Sequence, residues 1–226
     1  MNIKRIKKYI LPIFLSLACV LTGCSQSNGN NGNNTAQKEE LSLEGTWKVK
    51  DFSETMYGII VSGPSSEQRA KDLKDYYNEA DMKLIIKDKN VVLTNTFDAT
   101  KLIEADYNRA GYKRRISLEE FTKHWEFMFK IGKSRLEHNE VSIENNVTNI
   151  KAKDGVLDTE NKTISFPENP RIDDFNFLGL HTKKREKEPV TFNYKLENNE
   201  LILTVSGKNM YEKDQTVVIK FTKEKN

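Results

Sequence analysis

Cysteine thiols, histidine rings, paired carboxylates and clustered cations are the places where this chain of 226 residues could carry chemistry. Of the two cysteines, Cys19 lies inside an N-terminal apolar run and Cys24 just after it. The three histidines, His124, His138 and His181, stand far apart. None falls in the His-Glu-x-x-His spacing that sets two imidazoles on one helix face for a metal. Glu137, His138 and Glu140 are close in sequence but lack zinc-ligand spacing, and read as a solvated helix end. Asp173 and Asp174 are adjacent, and neighbouring side chains on a strand point to opposite faces, so the pair reads as a turn cap. Neither a Gly-x-Ser-x-Gly elbow nor a Walker loop occurs. With no nucleophile set beside a base, the expectation is a binding protein rather than an enzyme, with no catalytic residue, no metal and no cofactor. Two basic runs remain, Lys113-Arg114-Arg115 and Lys183-Lys184-Arg185 with Lys187. They read as solvated loops. Their functional alternative is contact with anionic head groups or wall polymers, where each charge contributes about 1 kcal/mol.

Cys24 takes its meaning from what precedes it. Lys4, Arg5, Lys7 and Lys8 form a positive region, and residues 9–20 are apolar except for breaks at Pro12 and Ser16. That run suits a signal peptide and is shorter than the roughly 20 residues that span a bilayer. Leu21-Thr22-Gly23-Cys24 then resembles the bacterial lipobox. The resemblance implies that Cys24 is acylated and becomes the first residue of the mature chain. Residues 1–23 would be the signal peptide, 24–40 the lipidated cysteine and a tether, and 41–226 a single domain. Removing Lys4, Arg5, Lys7 and Lys8 takes the formal net charge from +3 to −1. No basic stripe is then left for nucleic acid. Cys19 leaves with the signal and Cys24 is blocked, so disulfides, thiol catalysis and cysteine–metal sites are excluded. More than one acyl chain holds a protein stably on a bilayer, at about 0.8 kcal/mol per buried methylene. The expected location is the extracytoplasmic face of a cell membrane, and a composition rich in Lys, Asn, Glu and Ile suits a Gram-positive source. The segment SQSNGNNGNNTAQKEE has only Ala36 as a weakly apolar residue and cannot offset its ordering entropy. As a random coil it would span roughly 20–25 Å.

The elements that position side chains follow from periodicity. Gly63-Pro64 breaks the chain, Ser65 and Gln68 suit a capping box, and Ala70, Leu73, Tyr77 and Ala80 predict a helix over 66–80. MKLIIKDKNVVLTNTF predicts a hairpin turning at 88–90. Ser117 and Glu120 form a second capping box, and Leu118, Phe121, Trp125, Met128 and Phe129 share one face of a helix over 117–131, stopped by Gly132. That stripe reads as packing against a sheet. From Val141 onward VSIEN, VTNIKA, NKTISF, VTFNYKLE, ELILTVS and QTVVIKFT alternate and are rich in β-branched and aromatic residues. Asp154-Gly155 and Asn198-Asn199 read as turns between them. The total is about eight or nine strands with about two helices. This predicts a mainly β (α+β) fold, an antiparallel up-and-down barrel or a strongly bent sheet.

The opening LSLEGTWKVKDF, with Gly45 and Trp47, resembles the calycins, the group of lipocalins and fatty-acid-binding proteins. In those barrels a Gly-x-Trp near the first strand packs its Trp across the closed end. The resemblance implies binding of a small apolar or amphiphilic ligand inside the barrel. Trp47 and the meander residues Phe192, Tyr194, Leu203 and Phe221 are the candidate ligand-binding set. An eight-stranded barrel can also be filled by its own side chains. The alternative function is therefore an immunity, assembly or accessory lipoprotein that meets a protein or cell-wall polymer with its outer surface. Phe175, Phe177, Leu178 and Leu180, in a long loop over 171–188, would then be a partner surface, a lid or core packing.

Overall fold

Alternating apolar residues build the sheet, and short turns fold it back on itself. The computed structural model describes residues 42–60, 76–77, 79–109, 115–133, 136–172, 177–180, 187–209 and 212–225. All lie in one compact unit, Glu40–Asn226. The described elements are β1 (Gly45–Val49), α1 (Phe52–Ile60), β2 (Asp81–Lys87), β3 (Asn90–Asp98), α2 (Thr100–Arg109), α3 (Leu118–Lys133), β4 (Asn139–Glu144), β5 (Val147–Asp158), β6 (Thr163–Phe166), β7 (Val190–Glu197), β8 (Glu200–Lys208) and β9 (Asp214–Lys223). Three hairpins turn on two residues with positive φ: Asp88-Lys89 (50° and 66°), Asn145-Asn146 (51° and 64°) and Asn198-Asn199 (52° and 64°). Positive φ at both central positions matches the turn to the right-handed strand twist.

The strand order is β3-β2-β1-β9-β8-β7-β6-β5-β4, every ladder is antiparallel, and β3 also pairs with β5. Eight strands therefore close into a barrel and β4 stands outside the ring, an architecture consistent with a calycin-like barrel. One edge of β5 carries two neighbours in succession. Its residues 147–152 pair with β4, and 156–158 pair with β6. The barrel has a turn end, with hairpins at 88–89 and 198–199. Its opposite helix end carries α1, α2 and the start of β5.

Asp154-Gly155, expected as a turn, is a bulge inside β5 instead. Val91 is opposite Gly155 while Leu93 is opposite Ala152, so β5 holds one extra residue. Asp154 takes the left-handed conformation (φ 62°) that absorbs it. The inward side of β5 thereby changes from Thr148, Ile150 and Ala152 to Gly155 and Leu157. A Cβ on Gly155 would sit 2.7 Å from both Phe166 Cε1 and the Val91 carbonyl oxygen.

The helices differ most from expectation. The one over 66–80 lies largely outside the described residues. The one expected over 117–131 is α3, which passes through Gly132 to end at Lys133. Ser117 Oγ accepts from Glu120 N (3.2 Å), and the Glu120 carboxylate accepts from Ser117 N (2.9 Å), completing the capping box. Two helices were not foreseen, α1 and α2. Asp51 caps α1 by accepting from Glu54 N (2.9 Å). Asp98 accepts from Thr100 N (2.8 Å) at the entry to α2. One continuous core joins the inward barrel residues to Phe52 and Met56 of α1, Leu102 and Ile103 of α2, and Phe121, Trp125 and Phe129 of α3.

Candidate functional site

The five residues expected to bind a ligand all face the barrel interior, toward its middle and turn end. Tyr194 lies opposite Leu203, and Phe221 opposite Leu201 and Val49. Phe192 meets Phe166 edge-on at 6.5 Å. Trp47 donates its Nε1 proton to the Leu43 carbonyl (2.8 Å), and the Lys223 ammonium stands 5.5 Å over its ring. Gly45 precedes it at φ 118°, a conformation that favours glycine, and a Cβ there would lie 3.2 Å from Lys223 Cε. Trp47, Phe192, Leu203 and Phe221 have 0% accessible surface. Their atoms touch other side chains and no water-sized space. Tyr194 is half-buried, and burial first, then the Asp158 carboxylate, pushes its phenol pKa up. This half of the barrel is filled by its own residues.

The helix end is built differently. β6 stops at Phe166, and the chain then crosses the inner face of the sheet. Glu168 is buried and accepts from Glu137 N (3.1 Å), His138 N (2.8 Å) and Asn139 Nδ2 (3.2 Å). Arg171 N donates to Asn139 Oδ1 (2.8 Å), and the Arg171 guanidinium lies 5.0 Å over the Phe129 ring. The Ile172 carbonyl accepts from Asn95 Nδ2 (2.7 Å). Arg171 and Phe177 form a β-bridge, and Phe177 and Leu178 are buried while Leu180 is half-buried. Of the alternatives for this loop, its described apolar residues are core packing that covers the helix end; Phe175 lies outside the described residues.

Asn95, Thr148 and Trp125 were not singled out as a site from sequence. Asn95 Oδ1, Thr148 Oγ1 and Trp125 Nε1 are buried without any hydrogen-bond partner. Asn95 pairs with Ile150 and Thr148 with Phe97, so the first two are diagonal neighbours on the inner face of β3–β5. Trp125 stacks on Phe129 (5.2 Å), on the helix that packs against β4. The available signal was a polar residue at a core position of an alternating strand. Val91, Leu93 and Phe97 surround Asn95, and Ile150 and Ala152 follow Thr148.

Where the connection meets β7 and β8, a half-open cleft of about 200 Å³ is lined by Asn169, Leu180, Glu188, Pro189, Val190, Thr191 and Val205. It is smaller than the roughly 300–1,000 Å³ of small-molecule pockets. The Glu137–Glu140 group is not a helix end but the approach to β4 and its first two residues, and His138 Nδ1 lies 2.8 Å from Asp154 Oδ2 at the bulge. His124 is exposed on α3. Arg115 and Lys187 are exposed; the other residues of the two basic runs, with His181, Asp173, Asp174 and Cys24, lie outside the described residues. No helix among the described residues is long and apolar enough to cross a membrane. Comparison with protein-family models, curated proteins and solved structures found no match to this chain.

Proposed function

We propose that this chain is a lipoprotein anchored through Cys24 on the extracytoplasmic face of a membrane, and that its lipocalin-like barrel binds a small amphiphilic molecule at the helix end. The reading assigns it binding rather than catalysis. One observation carries it: among the described residues, Asn95 Oδ1 and Thr148 Oγ1, both buried without a partner, are diagonal neighbours on the inner face of β3–β5 toward the helix end. A buried polar group without a partner destabilises a fold by about 1–3 kcal/mol. Two side by side favour a site that a second molecule completes. Because the region is packed, binding must part α3 from the sheet.

Two measurements test this. The full chain is purified from its host and examined by native mass spectrometry, which is expected to show a co-purifying amphiphile at one per chain. Absence of any bound molecule, together with no saturable uptake of added amphiphiles, would sink the binding half. The anchor half is checked by fractionation: Cys24→Ala should move the protein out of the membrane fraction, and retention there would remove the lipobox assignment. A second reading, docking to a protein or wall polymer, is favoured by adjacent Phe127 (58% exposed) and Met128 (54% exposed) on α3. A bulky apolar pair on the outer side of a helix that already buries another face fits a contact surface.

A further inference from the structure

Resting on that reading, we infer that the ligand is a neutral amphiphile whose polar group is a hydroxyl, seated between α3 and the inner face of β3, β5 and β4. Two facts set its chemistry. Asn95 spends its amide donor on the Ile172 carbonyl (2.7 Å), which fixes the orientation of the amide and leaves Oδ1 as an acceptor without a donor. Thr148 Oγ1, diagonal to it on the same face, can both donate and accept and does neither. A single hydroxyl placed between them donates to Asn95 Oδ1 and accepts from the Thr148 hydroxyl. A carboxylate or phosphate oxygen only accepts, so it would face Asn95 Oδ1 with like partial charge and leave it unpaired. The Arg171 guanidinium is turned onto the Phe129 ring. The walls are apolar on both sides, with Phe121 and Phe129 on the helix and Val141, Ile143 and Ile150 on the sheet, and they suit a slender hydrocarbon body.

The test titrates the full chain with dodecanol and with dodecanoate, two probes of equal chain length, and counts bound molecules by native mass spectrometry. One satisfied buried hydrogen bond predicts that the alcohol binds about tenfold more tightly. Thr148→Val keeps the shape and removes a donor that either probe's oxygen can accept from, so it should fold normally and weaken both probes. Asn95→Leu removes the acceptor that only a hydroxyl satisfies, and should abolish most of the preference. It also loses the Ile172 contact, so the valine variant decides if the leucine variant is unstable. Equal affinity for the two probes, or an unchanged dodecanol affinity in Thr148→Val, overturns the hydroxyl assignment and leaves amphiphile binding standing. Failure of both probes to bind removes the binding reading, and this inference with it.

Discussion

Gly155 shows how much one missing side chain can decide. Its neighbour Asp154 bulges, β5 changes its inward face, and the Phe166 ring moves into the space a Cβ would fill. Gly155→Ala is expected to destabilise the fold by about 1–3 kcal/mol, as overpacking of a closed core does. Urea unfolding should show a lower midpoint with an unchanged slope, and an unchanged midpoint would mean that the ring relaxes at no cost. In the sequence Asp154-Gly155 looks the same as a hairpin turn, because turns and bulges both select residues that tolerate positive φ. Asn198-Asn199 carries a similar signal and does turn. The difference lies in the partner strand, which local residues do not encode. Thr148 and Asn95 raise the same point: they were visible as polar residues in apolar alternation, but the lack of partners depends on what packs over them.

Among elements, α3 was readable because Ser117 and Glu120 form a reciprocal cap before an apolar stripe, of which Phe121, Trp125 and Phe129 are buried while Leu118 and Met128, expected to pack with them, are exposed. α1 carried an equivalent signal, Asp51 with Glu54, but its Gly58 and paired isoleucines obscured the helical pattern. α2 has no cap in its own sequence window beyond Asp98, which belongs to the end of β3. The Thr100 hydroxyl, and then the Thr100 amide, hold the Asp98 carboxyl below its usual pKa of 3.8. A depressed carboxylate contributes stability that is fully present above its unfolded pKa and is lost as pH falls through the folded one. Asp98→Ala should therefore be less stable than the parent at neutral pH, by about 1 kcal/mol as for lost helix caps. The difference should shrink as pH drops below about 4 and vanish below the folded pKa. Thermal unfolding of both proteins across that range checks it, and a gap that persists in acid would assign the effect to something other than the carboxylate.

For the whole molecule, closure is uneven. β5 and β6 share three register pairs, as do β1 and β9, whereas β8 and β9 share nine. The β5–β6 seam is expected to open before the β8–β9 seam. In hydrogen exchange under mild denaturant, peptides covering 163–166 should lose protection before those covering 200–208. Simultaneous loss would show that the barrel opens only as one unit. This seam also lies where the chain leaves the wall to cross the helix end, so strand pairing and the proposed binding region meet there.

The sequence by itself determined most of the strands and their inward faces, the tight Asn-Asn turn and the cap of α3. These depend on residues within a few positions of one another, through φ preference, capping and alternation. Tertiary structure decided that β3 reaches across to β5, that β4 stays outside the ring, and that Trp47, Phe192, Leu203 and Phe221 fill one half of the barrel. It also decided that Asn95 and Thr148 are buried on one face. Such outcomes depend on contacts between segments far apart in the chain, where packing volume and hydrogen-bond partners are settled only once the sheet has closed.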